Sequence, residues 1–183
     1  MNTIAETFPP GEFLREELEA RGSPTMVQFI KTIPSSGAVI GENNRFGSGS
    51  GAATINLRNL NSPSTGSRPL VLFNGRRVPV SPQSLNSVDI NLLPTAAIGR
   101  VEVLKDGAAA TYGSDAIAGV VNFITRKNFD GLEMNASYRI IDGSDGNDYT
   151  GSVLWGHTFE NGNILLSAAY QHRSKLPTTE RDW

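Results

Sequence analysis

The sequence lacks cysteine, long apolar runs and a strong charge of either sign, and each absence removes a class of protein. Without cysteine among its 183 residues, the chain can form neither disulfides nor thiolate metal sites. No run approaches the roughly 18 apolar residues of a membrane-spanning helix. The formal net charge of −2 provides no whole-chain attraction to nucleic acid or to anionic lipid.

Residues that could carry catalysis are also sparse. The two histidines, His157 and His172, fall in predicted strands, and no carboxylates are spaced to form a metal site with either. No GxSxG nucleophile elbow is present. Glu102, Asp106 and Asp115 lie near one another, but in a turn-rich segment such acids are more often caps or salt-bridge partners than a general acid–base pair. The sequence therefore predicts no enzyme and no bound cofactor.

The most informative stretch is Arg100–Lys127, which has the pattern of strand, tight turn, small residues, glycine and strand. The first apolar run stops at Asp106-Gly107, a strong turn signal, and the second covers Val120–Ile124. Alanine and glycine dominate between the two runs, and such residues let a backbone approach another surface closely. The pattern predicts a segment that fits inside a larger structure.

Short elements precede this stretch. Helices are predicted at Glu12–Ala20 and from Thr25 to Pro34, and the second has one apolar face. A sheet is predicted from three short strands, an Asn-Gly hairpin turn and one helical turn. These elements are Thr54–Arg58, Pro69–Phe73, Arg76–Val80, Asn74-Gly75 and Pro94–Ile98.

The last fifty residues have the two-residue period of β-strands. Apolar and polar residues alternate through Leu132–Ile140, Tyr149–Phe159 and Ile164–Tyr170, with a few exceptions such as Leu154 and His157. The segments are close to the ~9–11 residues of a tilted membrane strand with one apolar face. A soluble meander with one wet face has the same pattern.

Several motifs together resemble the plug domain of TonB-dependent outer-membrane receptors, in which a small α/β plug is seated inside a large β-barrel. The motifs occur in the family's order and spacing over roughly residues 23–183. They are ATINLRNL (Ala53–Leu60), RPLVLFNGRRV (Arg68–Val78), VDINLLPTAAIGRVEVLKDG (Val88–Gly107), the Arg100–Lys127 stretch and NFDGLEMNASYRI (Asn128–Ile140).

The resemblance implies three parts and a fold class. Residues 1–22 are an N-terminal helical segment of uncertain origin, residues 23–128 a plug domain, and residues 129–183 about three barrel strands. The expected fold is an α+β plug, a small mixed sheet with short helices, followed by an incomplete antiparallel β-barrel segment. Because bacterial barrels need at least ~8 strands, we expect a fragment that does not transport alone.

Residues 1–22 support a second resemblance. MNTIAETFPPGEFLREELEARG is similar to the opening of HigA-type antitoxins, which bind DNA through a helix-turn-helix, but no recognition helix follows. The segment has no apolar core of a secretory signal and no TonB box, so we expect an incomplete or replaced start. A DNA-binding antitoxin-like protein and a soluble plug-like binding module are the alternatives to a receptor.

The resemblance also assigns roles to residues. Charges on the strand before Gly107 contact the barrel wall in the family, which implies this role for Arg100, Glu102 and Lys105; a solvated sheet face is the alternative. Plug loops that face outward meet the substrate. By position, the candidate ligand-binding residues are Arg58, Asn59, Arg77 and Gln83; for Arg58 and Arg77 a scaffold role is the favoured alternative.

The implied function is energised uptake of a scarce or bulky nutrient across the outer membrane. The implied partners are TonB, the nutrient and the membrane, and no nucleic acid is expected. A siderophore, cobalamin, an oligosaccharide and a peptide all fit the sequence as substrates.

Overall fold

A computed structural model describes residues 11–20, 25–33, 36–37, 53–60, 69–80, 88–140, 147–172 and 174. The chain divides into two compact units, which we call unit 1 (Met1–Arg126) and unit 2 (Lys127–Trp183). Among the described residues, no helix has the length and apolar character needed to span a membrane.

Unit 1 is built on a mixed sheet, which confirms the predicted small mixed sheet; it has five strands. Its spatial order is β1-β4-β5-β2-β3, with one parallel pair, β2–β5, and antiparallel pairs elsewhere. The strands are β1 (Gly11–Leu14), β2 (Leu70–Phe73), β3 (Arg76–Arg77), β4 (Ile98–Leu104) and β5 (Val120–Thr125).

Short helices surround this sheet. The α-helices are α1 (Arg15–Ala20), α2 (Met26–Lys31) and α3 (Ala108–Tyr112), and 3-10 turns cover Ile90–Leu92, Thr95–Ala97 and Ser114–Ala116. The hydroxyl of Thr25 caps α2 by accepting the backbone N–H of Gln28 at 3.4 Å. The Nη1 atom of Arg15 donates to the carbonyl of Ala96 at 3.0 Å and thereby ties α1 to the second 3-10 turn.

The sheet of unit 1 is covered on both faces because successive side chains of a strand point to opposite sides. Val101, Val121 and Phe123 pack in one core with the apolar face of α2, which confirms the predicted burial of that face. Leu72, Leu104 and Val120 pack on the other side with Ala108 and Ala116, which belong to the small-residue segment. That segment therefore lies directly on the sheet.

Three predicted elements of unit 1 are wrong in part. The helix predicted at Glu12–Ala20 begins only at Arg15, because Gly11–Leu14 instead pairs with the edge of β4. Such pairing overrides a local helix preference. The predicted strand Thr54–Arg58 is reduced to a single bridge between Leu57 and Ser36, and β3 has two residues rather than five.

The predicted Asn-Gly hairpin and the helical turn before β4 are confirmed. Asn74 and Gly75 have φ angles of 51° and 76°, the left-handed pair that a two-residue turn between β2 and β3 requires. The 3-10 turn Thr95–Ala97 lies within the predicted Pro94–Ile98.

Unit 2 is a three-stranded antiparallel sheet in the order β6-β7-β8. The strands are β6 (Gly131–Ile140), β7 (Asn147–Phe159) and β8 (Gly162–His172), and all three predicted strands are confirmed with slightly longer bounds. The turn between β7 and β8 contains Glu160 and Asn161, one position earlier than the predicted Asn161-Gly162.

Candidate functional site

A buried carboxylate lies at the centre of the unit 1 sheet. Glu102 on β4 is only 1% exposed, and both of its oxygens accept hydrogen bonds. Oε1 accepts from Arg100 Nε at 3.0 Å, and Oε2 accepts from Asn122 Nδ2 at 3.0 Å. A buried charge is tolerated only when it is paired and hydrogen-bonded in this way.

The hydrogen bonds continue from Glu102 across the sheet to the β2–β3 turn. Asn122 Oδ1 accepts the backbone N–H of Gly75 at 3.0 Å. Beside it, Asn74 Oδ1 accepts the backbone N–H of Thr125 at 3.0 Å. Through Asn122, strand β5 therefore connects the buried charge of Glu102 on β4 to the turn between β2 and β3. Sequence reasoning missed Asn122, although a lone polar residue within the apolar run Val120–Ile124 was the available signal.

The three charged residues with a predicted contact to the barrel wall occupy different environments. Arg100 and Glu102 form an ion pair, and the Arg100 side chain is 33% exposed. Lys105 is exposed and follows the last residue of β4, so the structure does not group it with the other two.

Two of the candidate ligand-binding residues form ion pairs with acids of the β4–β5 connection. Arg58 Nη1 lies 2.9 Å from Asp106 Oδ1. Arg77 pairs with Asp115 and also donates to the carbonyl of Tyr112 at 3.0 Å. The expected role of the acids as salt-bridge partners is confirmed. Both pairs are exposed to solvent, where an ion pair contributes about 0–1 kcal/mol.

Asn59, the third candidate, lies beside Arg58 in an unusual stretch of backbone. Arg58 and Asn59 have φ angles of 57° and 56°, and consecutive left-handed residues other than glycine are uncommon. The amide of Asn56 donates to Asn59 Oδ1 at 3.4 Å. The fourth candidate, Gln83, lies outside the described residues.

The sheet of unit 2 has one strongly apolar face. Large apolar side chains alternate with polar ones along each strand, and those on this face are exposed within the chain. Aromatic rings gather towards both ends of the strands: Tyr149 stacks on His172 at 4.7 Å, and His157 meets Phe159 edge-on at 4.6 Å. The exposed apolar members are Leu132, Met134, Tyr138, Ile140, Tyr149, Val153, Trp155, Phe159, Ile164, Leu166 and Tyr170.

A small mixed-sheet domain followed by a sheet with a bare apolar face defines the class of plug-and-barrel receptors. The family model described as TonB-dependent Receptor Plug Domain matches residues 13–120. The chain therefore belongs to the TonB-dependent receptors, a family of outer-membrane receptors, and the sequence resemblance, fold class and localisation are confirmed. The match includes LREELEARG, which the antitoxin resemblance also uses.

Individual relatives agree with this family. The chain is 32% identical over 162 residues to the vitamin B12 transporter BtuB of Photobacterium profundum, a match covering 88% of this chain and 24% of the transporter. The unliganded ferric citrate transporter FecA shares 26% identity at a TM-score of 0.68, over 88% of this chain and 25% of that one.

A further solved structure shares the fold. The siderophore receptor PirA of Acinetobacter baumannii has a TM-score of 0.66 at 20% identity, over 93% of this chain and 25% of that one. The chain thus spans about a quarter of the length of the relatives that it matches.

Proposed function

We propose that this chain is the plug domain and the first three barrel strands of a TonB-dependent receptor, and that it acts in nutrient uptake and not in catalysis. In this proposal, residues 23–128 form the plug and residues 129–183 the start of the barrel. The observation that carries it is the bare apolar face of β6–β8, which follows directly after a sheet matched by the plug family.

The dimensions of unit 2 support a membrane position for its strands. Ten residue steps from Tyr149 to Phe159, at about 3.3 Å each and a tilt of about 40°, rise about 25 Å, the height of the apolar band in outer-membrane barrels. Barrels of this kind have short periplasmic turns. The two-residue turn at Glu160-Asn161 then lies at the periplasmic end and the β6–β7 connection at the extracellular end.

In this proposal the chain alone does not transport, because the three strands that the structure describes in unit 2 leave two sheet edges unpaired. Each unpaired backbone group in lipid costs several kcal/mol, so membrane sheets close into barrels. The rest of a receptor supplies the missing strands, and TonB supplies the energy.

Substrate contact is proposed for the end of the plug where the β4–β5 connection lies. The ion pairs of Arg58 and Arg77 lie at this connection, and Asn59 follows Arg58 in the chain. Gln83 is included because of its position in the sequence. The named relatives carry vitamin B12 and ferric citrate, and this supports a small, scarce, metal-containing nutrient as the substrate class.

Wall contact is proposed for the Arg100–Glu102 pair together with Lys105. Arg100 is the member of the pair that keeps a third of its surface exposed, so it presents the pair to a neighbour. A buried ion pair contributes little net stability, but removing one partner costs about 3–5 kcal/mol because it leaves the other charge unpaired, which suits a part that is held and then released.

Uptake measurements on the full-length receptor test the proposal. Cells carrying the receptor are expected to accumulate labelled vitamin B12 or ferric citrate only when TonB is present, and liposomes containing the 183-residue chain alone are expected to accumulate neither. Arg100→Ala is expected to change plug release. TonB-independent uptake, transport by the chain alone, or salt-sensitive binding of the chain to operator DNA would contradict the proposal.

A further inference from the structure

The short segment that enters β6 is packed against β7, within unit 2. Gly156 on β7 has no side chain, and Phe129 occupies the space above it. A methyl group added at Gly156 would clash with the carbonyl oxygen of Phe129 and lie 2.8 Å from its ring atom Cδ1. The absence of a side chain at position 156 is therefore what lets the backbone and the ring of Phe129 sit on the strand.

Asp130 attaches the same segment to β7 through hydrogen bonds. Its Oδ1 atom accepts the backbone N–H of Thr158 at 2.7 Å and lies 3.3 Å from His157 Nδ1. The β6–β7 pairing ends at Gly131 opposite Gly156. Asp130 thus continues the attachment to β7 with its side chain, past the point where the strand ladder stops.

The backbone on both sides of this contact has unusual geometry. Asn128 has a φ of 55° and Gly131 a φ of 125°, so a left-handed residue stands before and after the Phe129-Asp130 pair. Asparagine and glycine are the residues that accept such angles at least cost. The path of the chain through Phe129 and Asp130 is therefore fixed by the backbone conformation of Asn128 and Gly131 as well as by the contacts with β7.

We propose that Phe129 and Asp130 form a retaining clamp. The clamp holds the segment Asn128–Asp130, which joins the plug to the first barrel strand, to β7 while the plug is remodelled. The inference rests on the proposed function, because only a receptor remodels its plug during uptake. All contacts of the clamp lie within unit 2, so they do not require unit 1 to keep its fold. Force passed along the chain from the plug then acts on β7 through Phe129 and Asp130 before it acts on β6.

The absence of cysteine allows a direct test, since one introduced cysteine takes a spin label uniquely. The label is placed at exposed Lys127, next to the clamp, in the 183-residue chain in detergent micelles. A second sample carries the label at exposed Ala109 and reports on unit 1. Residues 1–126 contain no tryptophan and Trp155 lies on β7, so tryptophan fluorescence does not report on unit 1.

With rising denaturant, the labels at Ala109 and Lys127 are expected to become mobile at different denaturant concentrations, because the clamp contacts lie within unit 2. The Lys127 label is expected to change from restricted to nanosecond loop motion only with the tryptophan signal of unit 2. Simultaneous mobilisation of the Lys127 and Ala109 labels would overturn the clamp.

Two glycines of the same strand provide a matched pair of variants. Gly156→Val is expected to free the Lys127 label without denaturant. Gly151→Val, where an added Cβ meets nothing within 4 Å, is expected to leave the label restricted. Equal mobility of the Lys127 label in the two variants would contradict the clamp.

Asp130→Ala provides an answer that does not depend on folding of a valine variant. It removes the acceptor for the Thr158 N–H and adds no bulk, so it is expected to free the label at Lys127; an unchanged spectrum would overturn the clamp. These spectra do not depend on transport. A failure of the uptake assay with the label behaviour intact would therefore contradict the proposed function, and only the attachment of Phe129 and Asp130 to β7 would stand.

Discussion

The side-chain amide of Asn122 on β5 donates to the buried carboxylate of Glu102 on β4 at 3.0 Å. The same amide group accepts the N–H of Gly75 through its oxygen. One buried side chain is therefore hydrogen-bonded both to the Glu102 carboxylate on β4 and to the backbone of the β2–β3 turn. Glu102 is buried and has no water to replace this donor, so the loss of Asn122 is costly; Gly75, by contrast, lies in an exposed turn.

Asn122→Leu is expected to lower the free energy of unfolding of unit 1 by about 3 kcal/mol, because it leaves Glu102 Oε2 and the Gly75 N–H without these partners. Chemical denaturation of the chain followed by the spin label at Ala109 measures this. Asn135→Leu is the control, since Asn135 donates to Glu133 at 2.9 Å on an exposed strand. A shift within about 0.5 kcal/mol is expected for that variant.

Gly119→Ala is expected to destabilise unit 1 by about 3 kcal/mol or more, because a steric clash adds to backbone strain. Gly119 has a φ of 119°, and an added Cβ would lie 2.5 Å from the carbonyl oxygen of Leu104. Gly113→Ala has the strain without the clash, since its φ is 82° and nothing lies within 4 Å. With a ψ of −166°, Gly113 occupies a region that almost only glycine adopts, so that control is expected to cost about 1–3 kcal/mol from strain alone; an equal cost for Gly119→Ala would show that the close approach is unimportant.

Arg58→Ala and Arg77→Ala separate a ligand role from a scaffold role. Each removes an exposed ion pair, so each is expected to change the stability of unit 1 by less than about 1 kcal/mol. If these side chains meet substrate, the affinity of the full-length receptor for its nutrient falls while folding stays intact. Titration of labelled nutrient on whole cells, with Arg76→Ala as a neighbouring exposed control, measures the difference. An unchanged affinity in both variants would assign the two arginines to the scaffold.

Acid is expected to loosen the contact between Asp130 and β7. The backbone N–H of Thr158, with a smaller contribution from His157, holds the pKa of the Asp130 carboxyl below its usual 3.8. A depressed pKa in the folded state means that the carboxylate stabilises the fold at neutral pH. This stabilisation begins to fall as the pH drops below about 4 and is gone below the folded-state pKa.

The spin label at Lys127 measures this transition between about pH 6 and pH 2. The label is expected to become mobile at the acid end in the wild-type chain. Asp130→Asn removes the titrating group, so its label mobility is expected not to follow this acid step. A step of the same size and midpoint in both chains would assign the transition to another group.

Val153→Arg is expected to reduce partition of the chain into detergent, because Val153 lies midway along the apolar face, opposite Met134 and Ala168. Arginine on the lipid face near the bilayer midplane costs about 2–4 kcal/mol. Ser152→Arg places the same charge on the opposite face of β7, so it serves as the control. Phase separation in a mild detergent compares the two, and equal partition would argue against a lipid-facing surface.

The strands of unit 2 and the β4–β5 stretch were predictable because their patterns are local. Alternation identifies β6, β7 and β8, and Asp106-Gly107 marks the end of the first run of the small-residue stretch. Strand β1 was not predictable, since GEFLREELEA favours a helix and only the distant edge of β4 makes its first residues extended. A pairing between remote segments leaves no periodic signal in either segment.

The burial and the partners of Glu102 could not be predicted for the same reason. The charge at position 102 was evident, but its burial depends on neighbours that the sequence does not place beside it. Asn122 is twenty positions away, and Gly75 is in the turn of another hairpin. The contact between Phe129 and Gly156 was likewise invisible, because a glycine in a strand does not indicate what lies above it.

The sheet of unit 1 also constrains when this domain can fold. Strand β1, near the start of the chain, pairs with β4 about 90 positions later, and β2 pairs in parallel with β5 about 50 positions later. Such remote contacts form slowly and require most of the polypeptide to be present. A nascent chain of this kind therefore cannot complete its central sheet until β5, the last strand of that sheet along the chain, has been made.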